Sequence, residues 1–161
     1  MNAIELLEQQ HREVEKLFDK IEKVESEEKQ ELFDEIADAL AVHAAIEEQH
    51  FYPATKDART EELLHEAVEE HLAVKRIIAD LLEMEVDDPQ FDAKIKVLKE
   101  QVEHHVEEEE KQLFPKVKKV HSKDELEDLG ILMERTAREL KEQGAPRMQV
   151  PSETGAAAPL D

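Results

Sequence analysis

Apolar residues recur along this chain at steps of three and four, the spacing that gathers side chains on one face of a helix. Ile4, Leu7, Val14, Phe18 and Ile21 form a first stripe, and Phe33, Ile36, Leu40 and Phe51 a second. Leu64, Val68, Val74, Ile78 and Leu81 form a third, and Phe91, Ile95, Leu98, Val102 and Leu113 a fourth. Local signals bound these segments. Asn2 is placed to cap a first helix reaching about Val24, and the second spans about Glu27 to Tyr52, ended by Pro53. Thr60 can cap a third, to about Val86. Asp88 before Pro89 opens a fourth that reaches at least Phe114, where Pro115 ends or kinks it. Ser122 with Glu125 makes a capping box for a shorter fifth helix ending near Gln143.

Long helices with short links predict an all-α protein, an up-down-up-down four-helix bundle over residues 1–120. The additional C-terminal helix, 121–143, is expected to cover that bundle through Leu126, Leu129, Leu132 and Met133. Residues 144–161, poor in large apolar side chains, read as a disordered tail.

Every stripe is interrupted near its middle by histidine: His11, His43 with Glu47, His71, and His105 with Glu109. In antiparallel neighbours, residues equally far from the connecting turn share a height. His11 lies 13 residues before the first turn and His43 16 after it; His71 and His105 lie 15 and 16 from the third. Glu47 and His71 lie 6 and 11 from the second. At about 1.5 Å per residue the first two pairs match within a helical turn and the last within about one and a half. Six polar side chains are thus predicted to converge on one layer of an apolar core. The second and fourth helices also repeat a longer pattern. "HAAIEEQHFYP", from His43 to Pro53, and "HVEEEEKQLFP", from His105 to Pro115, share their His, two Glu and the Pro.

Composition narrows the chemistry. The formal charge of −21 disfavours nucleic acid and anionic membrane as partners, because phosphate binding relies on Lys and Arg. It keeps helix surfaces soluble and draws cations. The absence of cysteine removes disulfides, thiolate metal sites and a thiol nucleophile. No apolar run has the length to span a bilayer, and the amino terminus carries no secretory signal, so the cytoplasm is the default compartment.

Two buried carboxylates without compensating cations cost several kcal/mol. Protonated histidines could compensate them, which leaves a metal-free polar core as one alternative. Metal ligation satisfies the same groups, and i, i+4 spacing lets His43 with Glu47, and His105 with Glu109, each chelate one ion. Imidazole and carboxylate without thiolate suit iron, manganese or zinc. A single tetrahedral zinc would leave two of the six groups idle. Two sets of His, His and Glu point instead to two octahedral ions, with the glutamates able to bridge them, and iron placed ahead of manganese. A ferritin-like arrangement needs Glu-x-x-His from two helices plus Glu from two others. Glu47-x-x-His50 and Glu62-x-x-His65 have that spacing, but on consecutive helices and with His65 off the layer. His50 is placed to line access, His104 faces about 100° away from the stripe, and His65 and His121 are read as surface residues. Tyr52 falls roughly opposite His43 round the helix and reads as packing. Glu48 and Glu110 lie beside the stripe, in solvent or just behind the six.

These residues resemble the hemerythrin-like HHE cation-binding family over about residues 1–120. The motif is His11, then His43 with Glu47 before Phe51-Tyr52-Pro53, then His71, then His105 with Glu109 before Leu113-Phe114-Pro115. The resemblance implies a hemerythrin-like bundle holding an oxo- or hydroxo-bridged di-iron centre that meets a small diatomic or peroxide ligand. Family members bind dioxygen or nitric oxide, sense oxygen or iron, or decompose peroxide. Where oxygen carriers have a second histidine one turn after the third-helix ligand, this chain has Lys75. That departure turns the expectation from oxygen carriage toward sensing or catalase-like peroxide removal. A non-catalytic module that senses or buffers iron is the alternative, as monomer or homodimer.

Overall fold

The computed structural model describes residues 1–160, and they are helical for most of their length. The α-helices are α1 (Ala3–Ile21), α2 (Ser26–Ile46), α3 (Tyr52–Thr55), α4 (Glu61–Leu82), α5 (Pro89–Glu108), α6 (Phe114–Val120) and α7 (Lys123–Gln143). α1 packs on α2 and α4 on α5, the two hairpins of an all-helical bundle. Asn2 with Glu5 and Ser122 with Glu125 form reciprocal capping boxes, and Asp88 accepts from the Gln90 N–H. Thr60 stands at the start of α4 but does not cap it. Its hydroxyl donates to the Thr55 carbonyl at 2.8 Å, tying the α3–α4 turn together.

Neither Pro53 nor Pro115 ends its helix. α2 passes into α3 through a π-helical turn, Glu47–Phe51, and α5 into α6 through another, Glu109–Leu113. In each turn the N–H after the turn bonds five residues back, Tyr52 to the Glu47 carbonyl and Phe114 to the Glu109 carbonyl. Proline has no N–H and its ring crowds the carbonyl four residues behind it. A widened turn immediately upstream, with the proline in the first turn of the resumed helix, removes both conflicts. The two prolines therefore mark where a residue is inserted into the helix, and each inserted turn begins at a core glutamate.

The apolar core is divided in two. Leu7, Ile46, Phe51, Leu64, Leu113, Phe114 and Met133 belong to one cluster, and Val14, Phe18, Phe33, Ile36, Phe91 and Leu98 to the other. α7 lies on α1 and α2, burying Leu126, Met133 and Ala137 while Leu132 faces outward. Gly130 permits that closeness, since a Cβ there would stand 2.5 Å from the Met1 carbonyl oxygen.

The tail corrects an expectation. Residues read as disordered form a 3-10 helix, Pro146–Glu153, lying across α2 and α4, and Val150 and Leu160 are buried. Arg147 grips Asp38 through two guanidinium contacts of 3.1 and 3.2 Å and its own N–H at 2.9 Å, and Arg76 donates to the Thr154 carbonyl. Composition fails here because order comes from docking a few side chains onto a finished bundle, not from local propensity. Asp161 lies outside the described residues. No helix among them is long and apolar enough to cross a membrane.

Candidate metal centre

His11 comes from α1, His43 from α2, His71 from α4 and His105 from α5, with Glu47 and Glu109 opening the two π turns. All six are at most 6 % exposed, and they meet in one layer. His71 Nε2 lies 3.0 Å from Glu47 Oε1 and 3.1 Å from His105 Nε2, while His43 Nε2 lies 3.1 Å from the same Glu47 oxygen. His11 Nε2 lies 3.2 Å from Glu109 Oε1, and His105 Nε2 lies 3.3 Å from Glu109 Oε2. Glu47, His71, His105 and Glu109 thus form one group of converging donor atoms, and His11, His43 and Glu109 another. Glu109 turns one oxygen to each.

The outer face of every imidazole is held. Nδ1 of His11 donates to Glu110 and Nδ1 of His71 to Glu48, both at 2.7 Å. Nδ1 of His43 donates to Gln10 at 2.8 Å and Nδ1 of His105 to Glu70 at 2.7 Å. Four outward Nδ1–H bonds select the same tautomer four times and aim every Nε2 lone pair inward, the arrangement of metal-ligating histidines. Lys75 is buried between Glu48, at 2.9 Å, and Glu153, at 3.1 Å, one turn beyond His71.

Electrostatics define the problem this layer has to solve. Burial lowers the His43 pKa, but the Glu47 and Glu109 carboxylates outweigh it and push the value up to about 9. Burial likewise opposes the charge on His105 and His71, and their glutamates still hold both above the ordinary imidazole range. Burial and Glu109 raise Glu47, yet the histidines win and bring it down to about 2. Without metal, protonated histidines thus balance the carboxylates, a role a bound cation would take over with the imidazoles neutral. His43 Nε2 and Glu47 Oε2 are buried without any hydrogen-bonding partner. Buried polar atoms are rarely left so. Nitrogen and oxygen atoms about 3 Å apart also match the edge of an octahedron with bonds near 2.1 Å, which fits a shared cation.

Tyr52 is the residue that periodicity misplaces. Nine residues on from His43, it falls about 180° round a regular α-helix, and the extra residue of the π turn takes away about 100° of that. It is fully buried instead, with its hydroxyl donating to Glu109 Oε2 at 2.6 Å and lying 3.1 Å from Glu47 and 3.2 Å from His71 Nε2. Burial and then the two carboxylates raise its pKa well above that of a free phenol, so it keeps its proton. A signal was present: both copies place two large side chains directly before the proline, one too many for a single helical stripe. Phe114, the counterpart of Tyr52, stacks on His11. Gln10 and Glu70 were also missed, although each directly precedes a core histidine, sixty residues apart. Glu48 and Glu110 stand behind the layer, as expected from their offset. His50 reaches Thr136 of α7 at 2.7 Å rather than the layer, and His104 and His65 are exposed.

Residues 2–117 match the family model of the hemerythrin HHE cation binding domain. The chain is 33 % identical over 149 residues to the Rv2633c protein of Mycobacterium tuberculosis, covering 91 % of this chain and 90 % of that one. A DNA nickase of Nostoc sp. is 27 % identical over 128 residues, 79 % of this chain but 36 % of the nickase. The crystal structure of a hemerythrin HHE cation binding domain-containing protein, the Rv2633c homolog of Mycobacterium kansasii, superposes with a TM-score of 0.80 at 27 % identity. That match covers 96 % of this chain and 94 % of the other.

Proposed function

This chain belongs to the hemerythrin HHE cation-binding domain family, and on that premise we propose that its core layer holds two iron ions and meets a dioxygen, nitric oxide or hydrogen peroxide ligand. The ligands are His11, His43, Glu47, His71, His105 and Glu109. The single observation that carries this reading is the pair of orphaned atoms, His43 Nε2 and Glu47 Oε2, inside a ring of imidazoles whose other nitrogens are all satisfied. Glu109, whose two oxygens face the two donor groups, would be shared between them. Such a pair supplies one-electron redox steps and a binding position for small oxygen or nitrogen ligands.

The protein's own residues do the rest. Glu48, Glu70, Glu110 and Gln10 fix ring orientation, and the three carboxylates raise the basicity of the imidazoles they hold. Tyr52 carries a proton that burial prevents it from losing as an anion, within reach of both core carboxylates. Its hydroxyl is positioned to give a hydrogen bond to an oxygen of the ligand. The neighbouring apolar clusters keep bulk water from the layer. Peroxide removal is the activity this favours, since a protonated phenol beside the donors serves O–O chemistry more than reversible carriage.

Metal analysis and the near-ultraviolet and visible spectrum of aerobically purified protein test the reading. Expected are two irons per chain with charge-transfer absorption, and gas evolution on adding peroxide that is lost in His105→Ala. A protein with metal but without peroxide turnover is the sensing or buffering module instead.

A further inference from the structure

Two cavities lie on either side of the C-terminal 3-10 segment. The inner one, about 40 Å³, is bounded by all four core histidines together with apolar side chains such as Val14, Leu40 and Ile78. The outer one, about 580 Å³, opens between α2, α7 and the tail. They share Ala41, Val150 and Glu153 as wall residues. Val150 is 2 % exposed and belongs to the apolar cluster below the layer, while Glu153 bonds Lys75, which in turn bonds Glu48, the carboxylate holding His71. Arg147 on Asp38, and Arg76 on the Thr154 carbonyl, clamp the segment at either side of Val150.

We infer that Val150 and Glu153 form a size-selecting gate between the outer cavity and the histidine layer. It admits neutral ligands of two or three heavy atoms and excludes organic hydroperoxides and other bulky reagents. This rests on the reading of the layer as the place where ligand meets metal. A water needs about 10–15 Å³ of such volume, so the inner cavity has room for roughly three water-sized groups and no more. Its walls are mostly apolar, which favours uncharged ligands over anions. The wide outer cavity and the narrow inner one share as walls the residues that the tail contributes with Ala41, and in the gate those residues set the bore.

The gate is testable without metal. In the metal-stripped protein, diethyl pyrocarbonate, far larger than the inner cavity, modifies accessible neutral imidazoles, and mass spectrometry reads each peptide. It is applied at one alkaline pH to wild type and variants alike, so that differences between them report access rather than protonation. Wild type is expected to protect His43, His71 and His105 while exposed His65 and His104 react. Val150→Ala and Glu153→Gln should each speed core modification at least tenfold, with His65 and His104 unchanged. In iron-loaded protein the same variants should raise tert-butyl hydroperoxide turnover relative to hydrogen peroxide. Core labelling that is the same in wild type and both variants would overturn the gate. So would a rise matched by faster amide exchange throughout α2 and α4, which would mean general loosening. Iron content, measured separately, shows whether the metal reading fails while the labelling still decides the gate.

Discussion

The two hairpins present the same ligand pattern and differ in what stands behind it. In the first, His43 leans on the amide of Gln10, and the π turn delivers Tyr52. In the second, His105 leans on the carboxylate of Glu70, and the π turn delivers Phe114. Tyr52 does not serve its own half: its shortest bond is to Glu109 of the other. The phenol, the Glu70 carboxylate and the Lys75–Glu48 pair all gather around His71 and His105. A repeat that builds a symmetrical donor set thus carries an asymmetric set of supports, polarising one centre into two unequal ends.

Breaking the donor set itself should have the largest effect. Complete metal removal should lower the melting temperature by about 10 °C, given that a ligand at a thousandfold its Kd stabilises by about 4 kcal/mol and each kcal/mol moves a chain of this size by about 2–4 °C. Calorimetry with and without a chelator measures it. His105→Ala should bring the metal-loaded protein close to that stripped value.

Next comes the contrast between Glu70 and Gln10. Glu70→Gln removes this one difference between the ends and should weaken metal affinity by about 10–100-fold. Gln10→Glu should leave affinity unchanged or tighten it. Competition titration against a chelator of known affinity compares them, and equal losses from both variants would remove the claimed asymmetry.

Tyr52→Phe erases a second difference. With peroxide as ligand, turnover should fall by about tenfold or more, the scale of one lost hydrogen bond to a buried charged group, about 1.5–3 kcal/mol. Metal content should stay intact. The reciprocal Phe114→Tyr on that background tests position: recovery would show that either end can supply the hydrogen bond.

The smallest effect is that of pH on metal-free protein. His43, raised from 6.5 to about 9, stabilises the fold fully below pH 6.5 and loses that contribution as pH rises through about 9. Glu47, lowered from 4.5 to about 2, stabilises above pH 4.5 and loses that contribution as pH falls through about 2. The stripped protein should therefore melt highest between pH 4.5 and 6.5. The metal-bound protein should gain on it as pH rises, because ligation requires neutral imidazoles and releases protons.

How much of this was legible beforehand follows from the range over which each signal acts. Burial stripes and histidine heights are periodic, so the helices and the meeting of six side chains could be counted from residues alone. The inserted π residue breaks the period and hides Tyr52, although its cause, a proline six residues after each core glutamate, is visible in both copies. Lys75 stands out in the sequence as a departure, but its burial against Glu153 depends on a tail whose order is tertiary. Single anchors such as Val150 and Arg147 leave no pattern, because one side chain in one hole has no period.

The proposed centre works only if both ends hold metal together. Iron analysis of aerobically purified wild type beside His105→Ala, each with its absorption spectrum, tests this most directly. Two irons per chain with charge-transfer bands in wild type, and loss of both bands and stoichiometry in the variant, are predicted. A colourless wild-type protein without iron, and equally stable after exposure to chelator, would contradict it.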